Sequence, residues 1–207
     1  MNHQLSPAGQ AVFDHLRSVF PEHETVAEGP WPGPIRDLVP DLHIVRVRPR
    51  RDRRDWLYVT ASLWHATQRH GHALDFALFT PEASPVHVET LTMTAFYHAS
   101  GGRHELDLGH TVPIGRPWLP GSKCSHLLVS LPYLWGPALE NCRVPEGHTR
   151  ILWLLPISKE EKRFRHAHGL EALEQKLQDA AIDPVDPHRS PVIPAPQRRW
   201  WFIKRRA

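Results

Sequence analysis

Cysteine is scarce in this chain of 207 residues, where Cys124 and Cys142 are the only two. Two thiols cannot make a disulfide framework or a four-thiolate zinc site, and they predict free thiols in a reducing cytoplasm. Long apolar runs are missing as well. No stretch approaches the eighteen or more uncharged residues of a membrane span, and the opening MNHQLSPAGQ lacks the basic-then-apolar layout of a secretory signal. The expectation is a soluble protein that stays in the cytoplasm. No Ser/His/Asp or Cys/His arrangement is legible, no glycine pattern forms a phosphate loop, and there is no internal repeat. Apolar residues make up 41% of the chain, enough to close one core.

Charge is unevenly spread. The net charge is +3, yet five of the 25 basic residues fall in the last ten positions, leaving 20 upstream against all 22 acids. A second basic cluster comprises Arg46, Arg48, Arg50, Arg51, Arg53 and Arg54. Nucleic-acid binding needs a basic face that tracks a backbone, and two arginine clumps on an acidic body support it weakly.

Ser6 as N-cap, Pro7 at the first helical position and the apolar side Val12, Phe13, Leu16, Val19 and Phe20 predict an amphipathic helix. Residues 21–40 read as a Pro/Gly-rich connector that excludes a central strand. Residues 42–47 (LHIVRV) and 56–63 (WLYVTASL) flank the arginine turn and predict a hairpin with the arginines solvated at its tip. A strand over 73–80 precedes a helix over 85–99, with Val88, Leu91, Ala95 and Ala99 inward and Phe96 and Tyr97 widening the apolar face. A Gly/Pro/His loop runs to Lys123, followed by short strands at 126–131, 139–144 and 150–155. Ser158 with Glu161 forms a capping box that starts a last long helix, carrying Phe164, Leu170, Leu173 and Leu177 toward Ala180. Strands interrupted by segregated helices predict one α+β domain with a mixed sheet, on which helices 12–20, 88–99 and 160–180 pack.

Sixteen histidines invite a metal site. His65, His70 and His72 are the tightest group, but none of the intervals between neighbours is the i, i+4 pairing of a helical site, so solvated loop histidines are expected. His104-Glu105 lacks a second histidine, His166 and His168 diverge on a helix, and Cys124, His126 and Cys142 form a sparse three-ligand alternative. No metal or cofactor is expected. Among the eight tryptophans, Trp56, Trp64 and Trp153 read as packing residues, whereas Trp31, Trp118 and Trp135 beside Pro or Gly are either loop anchors or covers for a core edge. Trp200, Trp201, Phe202 and Ile203 sit among basic residues, suited to a membrane interface, a base stack or folding back on the domain.

Four stretches, in order, carry a family resemblance: DLVPDLHIVRVRP at 37–49, WLYVTASL from Trp56, LDLGHTVPIG at 106–115 with Pro117, and LWLLPISKEEKRFRHAHGLEALEQKL running into IDPVDPHRSPV. Together they resemble the Suppressor of fused domain, especially its single-domain bacterial relatives. The GHTVPIGRP loop is the most specific piece. The chain departs from the bacterial pattern at Val45, where an Asp is usual, and at Ser62-Leu63, where Gly-Met is usual.

The resemblance implies a Suppressor of fused-like α+β domain over residues 1–193, with a mixed, mainly antiparallel sheet, followed by a basic aromatic tail over 194–207. It implies a non-enzymatic protein-binding module, an adaptor or an immunity protein that neutralises its partner, and a partner that is a toxin or an extended peptide. The matching tyrosine of the animal domain contributes to its partner surface, which places Tyr58 in the site, with Trp56 on the same strand face; an ordinary core tyrosine whose hydroxyl reaches a sheet edge is the other reading of Tyr58. The signature loop adds Gly109, His110 and Thr111, with Trp118 as an aromatic anchor beside it; tying down the loop's own backbone is the other reading of His110 and Thr111. The rival functions are a metal-dependent hydrolase using a histidine-rich site and nucleic-acid binding through the tail.

Overall fold

The computed structural model describes residues 4–50, 54–68, 73–145 and 147–195. Helix α1 (Pro7–Val19) starts where the sequence indicates, with Ser6 Oγ accepting from Gly9 N–H at 3.1 Å and Val12 and Leu16 buried. Strand β1 (Thr25–Glu28) and a turn of helix, α2 (Ile35–Leu38), lead to the hairpin β2 (His43–Val47) and β3 (Trp56–Ala61). The short helix α3 (Leu63–Thr67) connects to β4 (Leu74–Thr80) and then α4 (Pro85–Ala99). After them come β5 (Thr111–Pro113), β6 (Cys124–Ser130), α5 (Pro137–Glu140), β7 (Asn141–Val144), β8 (Gly147–Ser158), α6 (Lys159–His168) and α7 (Leu170–Asp179).

The strands form one sheet in the order β1-β2-β3-β4-β8-β6-β5, with β7 also pairing with β8. Only β4 and β8 run parallel; the other pairs are antiparallel. Both faces are covered, which is why all seven residues of β4 are buried and its sequence, LDFALFT, is apolar on both sides. One face packs Leu57, Val59, Phe79 and Trp153 against Leu16 of α1 and Leu173 and Leu177 of α7. The opposite face packs Tyr58, Phe76, Leu78 and Leu154 against Leu91 and Ala95 of α4 and against Trp118. Each such large side chain contributes on the order of 1.5–3 kcal/mol on leaving water.

Several expectations change. The proline-rich connector contains β1, which escapes the proline restriction because it lies before Gly29-Pro30 and at the sheet edge. His65 stands in α3 rather than a loop, while His70 and His72 lie outside the described residues. Arg46 lies in β2, within the expected strand, and the arginines of this region are not merely solvated: Arg46, Arg48 and Arg50 pair with Glu28, Glu24 and Glu22 at 2.8, 3.0 and 2.7 Å. Arg51 and Arg53 lie outside the described residues. The long C-terminal helix is broken at Gly169, whose φ of 92° interrupts it between α6 and α7. On α4 the buried positions include His87, Thr90, Thr94 and His98, while Phe96 is exposed.

Candidate partner-binding groove

The alternation of β3 puts Trp56 and Tyr58 on the face that α4 covers. Tyr58 is only 1% exposed. Its hydroxyl accepts from Ser84 N–H at 3.2 Å, and Ser84 in turn caps α4 through Val86 N–H at 3.3 Å. Burial raises the Tyr58 phenol pKa, and the Ser84 bond and nearby Arg46 oppose that shift.

A groove of 590 Å³ opens above Tyr58, between α4 and the β1–β3 corner. Trp31, Arg46, Val88, Thr92 and Met93 line it, with Glu28 and Glu89 at its margins. Arg46 lies opposite Tyr58 in the β2–β3 register, binds Glu28 and holds its guanidinium 5.6 Å from the Trp56 ring. Arg48 approaches the same ring at 6.0 Å. Trp56 is thus flanked by two cations, a geometry worth about 0.5–1 kcal/mol each at exposed sites. Two buried polar atoms of lining residues, Trp31 Nε1 and Thr92 Oγ1, have no hydrogen-bond partner among the described residues. The charged lining groups are committed to Arg46–Glu28 and Arg116–Glu89, both at 2.8 Å. The groove thus combines apolar walls with charges that are already paired.

Trp118 is fully enclosed and connects to this region through His87. The Tyr58 and His87 rings are 5.4 Å apart, and the His87 and Trp118 rings 6.3 Å. Burial holds the His87 imidazole neutral, its pKa lowered to about 4; the Glu82 backbone favours protonation without meeting hydrogen-bond geometry, and both ring nitrogens lack a partner among the described residues. His87 and Trp31 were not legible as site residues, because nothing local in VHVE or GPWPG says which way the rings turn.

The signature loop sits elsewhere. Thr111 opens β5 and pairs with Leu128 of β6 at the far edge of the sheet, while β3 lies near the other edge. Gly109 has φ of 83°, and a Cβ there would come within 2.8 Å of Arg165 Nη2. His110 is exposed; its backbone carbonyl accepts from Val129 N–H at 2.8 Å and its Nδ1 from Asp107 N–H at 3.2 Å. The structure therefore gathers Trp56, Tyr58 and Trp118 in one layer and leaves Gly109, His110 and Thr111 apart.

The sparse thiol site does not assemble: Cys124 packs on the α4 face and Cys142 on the α1 face, both as free thiols. Among the described residues no three His, Cys, Asp or Glu side chains converge as metal ligands. No helix among them is long and apolar enough to cross a membrane.

Two acidic groups whose long-range partners were not legible in the sequence organise the interior. Asp75 is wholly buried, accepts from Thr60 Oγ1 at 2.8 Å and Thr149 Oγ1 at 3.2 Å, and is pushed by burial to a pKa of about 7. Glu161, in the capping box, binds Arg189 at 2.7 Å in the closing DPHR segment.

Comparison with known proteins follows the same lines. A crystal structure of a Suppressor of fused homologue from Neisseria gonorrhoeae is 33% identical, with a TM-score of 0.80 over 91% of this chain and 98% of that one. The Sufu–Fu complex contains a chain of the same fold at 15% identity, with a TM-score of 0.67 over 91% and 93%. Drosophila Suppressor of Fused shares the fold at 16% identity and a TM-score of 0.66, covering 90% of this chain and 51% of that one. No curated protein matches the chain. The family model described as Suppressor of fused protein (SUFU) matches residues 40–190, and with the 33% identity to the Neisseria homologue this places the chain in the Suppressor of fused family.

Proposed function

We propose that this chain is a non-enzymatic protein-binding module that takes an extended segment of a partner protein along the groove above Tyr58. The observation that carries the reading is the groove itself, an apolar cleft lined by Trp31, Tyr58, Val88 and Met93 next to the β1 edge. The β1 edge turned away from β2 pairs with no other strand among the described residues, and Glu28 of that strand borders the groove. Strand addition there supplies backbone bonds, and the groove supplies side-chain selectivity. The Sufu–Fu complex supports partner binding as the family's mode of action.

In this reading Tyr58 forms the floor, Trp56 stands beside it on the same strand face with Arg46 over its ring, and Trp118 braces the floor from within through His87. Gly109, His110 and Thr111 form a second contact at the β5 edge, where His110 is exposed. The role is that of a cytoplasmic adaptor, or of an immunity protein that binds a toxin and neutralises it.

Affinity capture from a native lysate identifies the partner, and calorimetry then compares Trp56→Ala, Tyr58→Phe and His110→Ala. Loss of the Trp56 ring should weaken binding by on the order of 2 kcal/mol, about thirtyfold, in a protein that remains folded. If all three variants bind the partner as the parent does, the site lies elsewhere. Stoichiometric zinc in protein purified without a metal-affinity tag, lost together with stability on chelation, would replace this reading with the metal-dependent hydrolase.

A further inference from the structure

The opposite face of the sheet carries a second groove, of 750 Å³, between α7 and the segment that follows β6. Its apolar floor includes Trp153, Leu155 and Leu177, and its wall includes Leu134. Tyr133 and Leu134 are 55% and 63% exposed, unusual values for such large side chains. They are held outward by a fixed turn: Trp135 N–H and Gly136 N–H both donate to the Pro132 carbonyl, and the Trp135 ring stacks on Phe79 at 3.6 Å.

The charge of this groove has one sign. Glu171 and Glu174 line it, and no lysine or arginine is among its described lining residues. Glu174 accepts from Ser130 Oγ and from Tyr133 OH, each at 2.9 Å. Burial, followed by Glu174, Glu140 and Glu171, pushes the Tyr133 phenol pKa to about 12.

The chain contains the complementary segment. Residues 198–207, RRWWFIKRRA, place four consecutive large apolar side chains between two basic pairs, with Lys204 adjoining the second, and contain no acid. Left in water, that run would be an apolar patch of the kind soluble proteins rarely expose. Its tether lies on the correct face. Val185 and Val192 pack in the same core layer as Leu177 and Trp153, and Val192 N–H is fixed to Glu161 at 2.9 Å. From residue 195, twelve further residues reach at most about 40 Å, sufficient to cover a domain of this size.

We propose that the acidic, apolar groove between α7 and residues 130–134 is the docking site of the chain's own residues 198–207. Its aromatic side chains fill the floor over Trp153 and Leu155, and its lysine and arginines face Glu171 and Glu174. Because the tether is short, docking proceeds at an effective concentration on the order of millimolar, so a weak intrinsic affinity suffices.

The full-length protein permits a direct test. Carbodiimide treatment joins a lysine to a carboxylate in contact, and Lys204 is the only lysine beyond residue 176. Mass spectrometry of the monomer band should find Lys204 joined to Glu171 or Glu174. Trypsin should release the tail from the parent at least tenfold more slowly than it cuts a synthetic peptide of residues 190–207. Glu171→Lys combined with Leu134→Asp, both at exposed positions, should remove that protection while far-ultraviolet circular dichroism stays unchanged. Cleavage of the parent at the peptide's rate overturns the proposal, as it would leave the tail available to a nucleic acid or lipid surface. Cross-links found only in a dimer band overturn it in favour of a second copy, and protection that survives the double variant places the tail in another groove.

Discussion

Replacing Arg189 by Ala should be among the most destabilising single changes available in this domain. Arg189 lies well outside the last helix, yet its side chain is only 4% exposed and Glu161 is fully buried. Arg189 Nη1 and Nη2 donate to the two Glu161 oxygens at 2.7 and 2.8 Å, and Nη2 also donates to the Pro156 carbonyl at 2.9 Å. Glu161 accepts as well from Ser158 N–H at 2.7 Å and Val192 N–H at 2.9 Å. Burial alone would raise the Glu161 carboxyl; Arg189 and the two N–H groups outweigh it and hold the pKa below its ordinary value. Removing the guanidinium leaves a buried carboxylate without its cation, a loss of about 3–5 kcal/mol. Against a typical stability of 5–15 kcal/mol, that brings unfolding near ambient conditions. Urea unfolding at pH 7, followed by tryptophan fluorescence, measures it. Two controls isolate the cause. The double variant Arg189→Met/Glu161→Gln removes both charges and should be more stable than Arg189→Ala. A carboxylate whose folded pKa is depressed contributes stability above its unfolded pKa and loses it as pH falls through the folded one, so acid should destabilise the parent more steeply than the double variant. A loss below about 1 kcal/mol for Arg189→Ala, or a double variant no more stable than the single, would refute this account.

Asp75 predicts the opposite pH trend. Its folded pKa of about 7 lies above its ordinary 3.8, so the unfolded chain ionises first and stability falls as pH rises from about 4 to 7. Asp75→Asn, which mimics the protonated form, should flatten that region and be more stable than the parent at pH 8, by up to roughly 4 kcal/mol; an equal or steeper fall in its urea midpoint from pH 4 to 8 would count against the assignment. Ser62 has φ of 82°, a left-handed conformation, and its Oγ bonds Ser6 Oγ at 2.8 Å. Ser62→Gly relieves about 1 kcal/mol of strain and loses a bond of similar worth, so it should melt near the parent, whereas Ser62→Ala loses the bond, keeps the strain and should melt lower. A Ser62→Ala variant as stable as Ser62→Gly would show that the strain is absent.

Local chemistry made much of this fold legible. Ser6-Pro7 and the Ser158/Glu161 box each mark a helix start, and each start is found where the side chain caps it. The apolar run around Phe76 reads as a buried strand because both its faces are covered. Long-range partnerships were not legible. Asp75 looks like an interruption in LDFALFT until Thr60 and Thr149 are brought to it from sequence distances of 15 and 74. Leu91 and Ala95 face inward on α4 as their spacing predicts, but its histidines turn inward as well: His98 Nδ1 accepts from Leu106 N–H at 2.8 Å, and His87 lies between two rings, tilted to both. The break at Gly169 lies within the apolar stripe, and only a backbone turned to φ of 92° reveals it. Ser62 is the clearest link between the two levels. Its backbone is left-handed, a conformation that glycine takes without strain, and this chain holds the turn with a serine tied to the cap of α1.

The groove's floor and the domain's core are one continuous object, and that constrains how a binding site here is probed. Tyr58 joins the groove to the cap of α4 through Ser84, and through His87 to Trp118. Truncating Tyr58 to Ala would open a cavity beneath α4 at a cost of about 3–5 kcal/mol, comparable to a large aromatic deletion elsewhere, and would confound folding with binding. Tyr58→Phe keeps the ring and removes only the acceptor for Ser84 N–H, a loss of about 1 kcal/mol. Trp31, Val88 and Met93 are only partly buried and line the groove from above the floor. A charge introduced at Met93 therefore meets a bound chain before it meets the core. Met93→Glu should leave the melting temperature within a few degrees of the parent while weakening the captured partner at least tenfold. Equal affinity in a folded Met93→Glu protein would place the partner outside this groove.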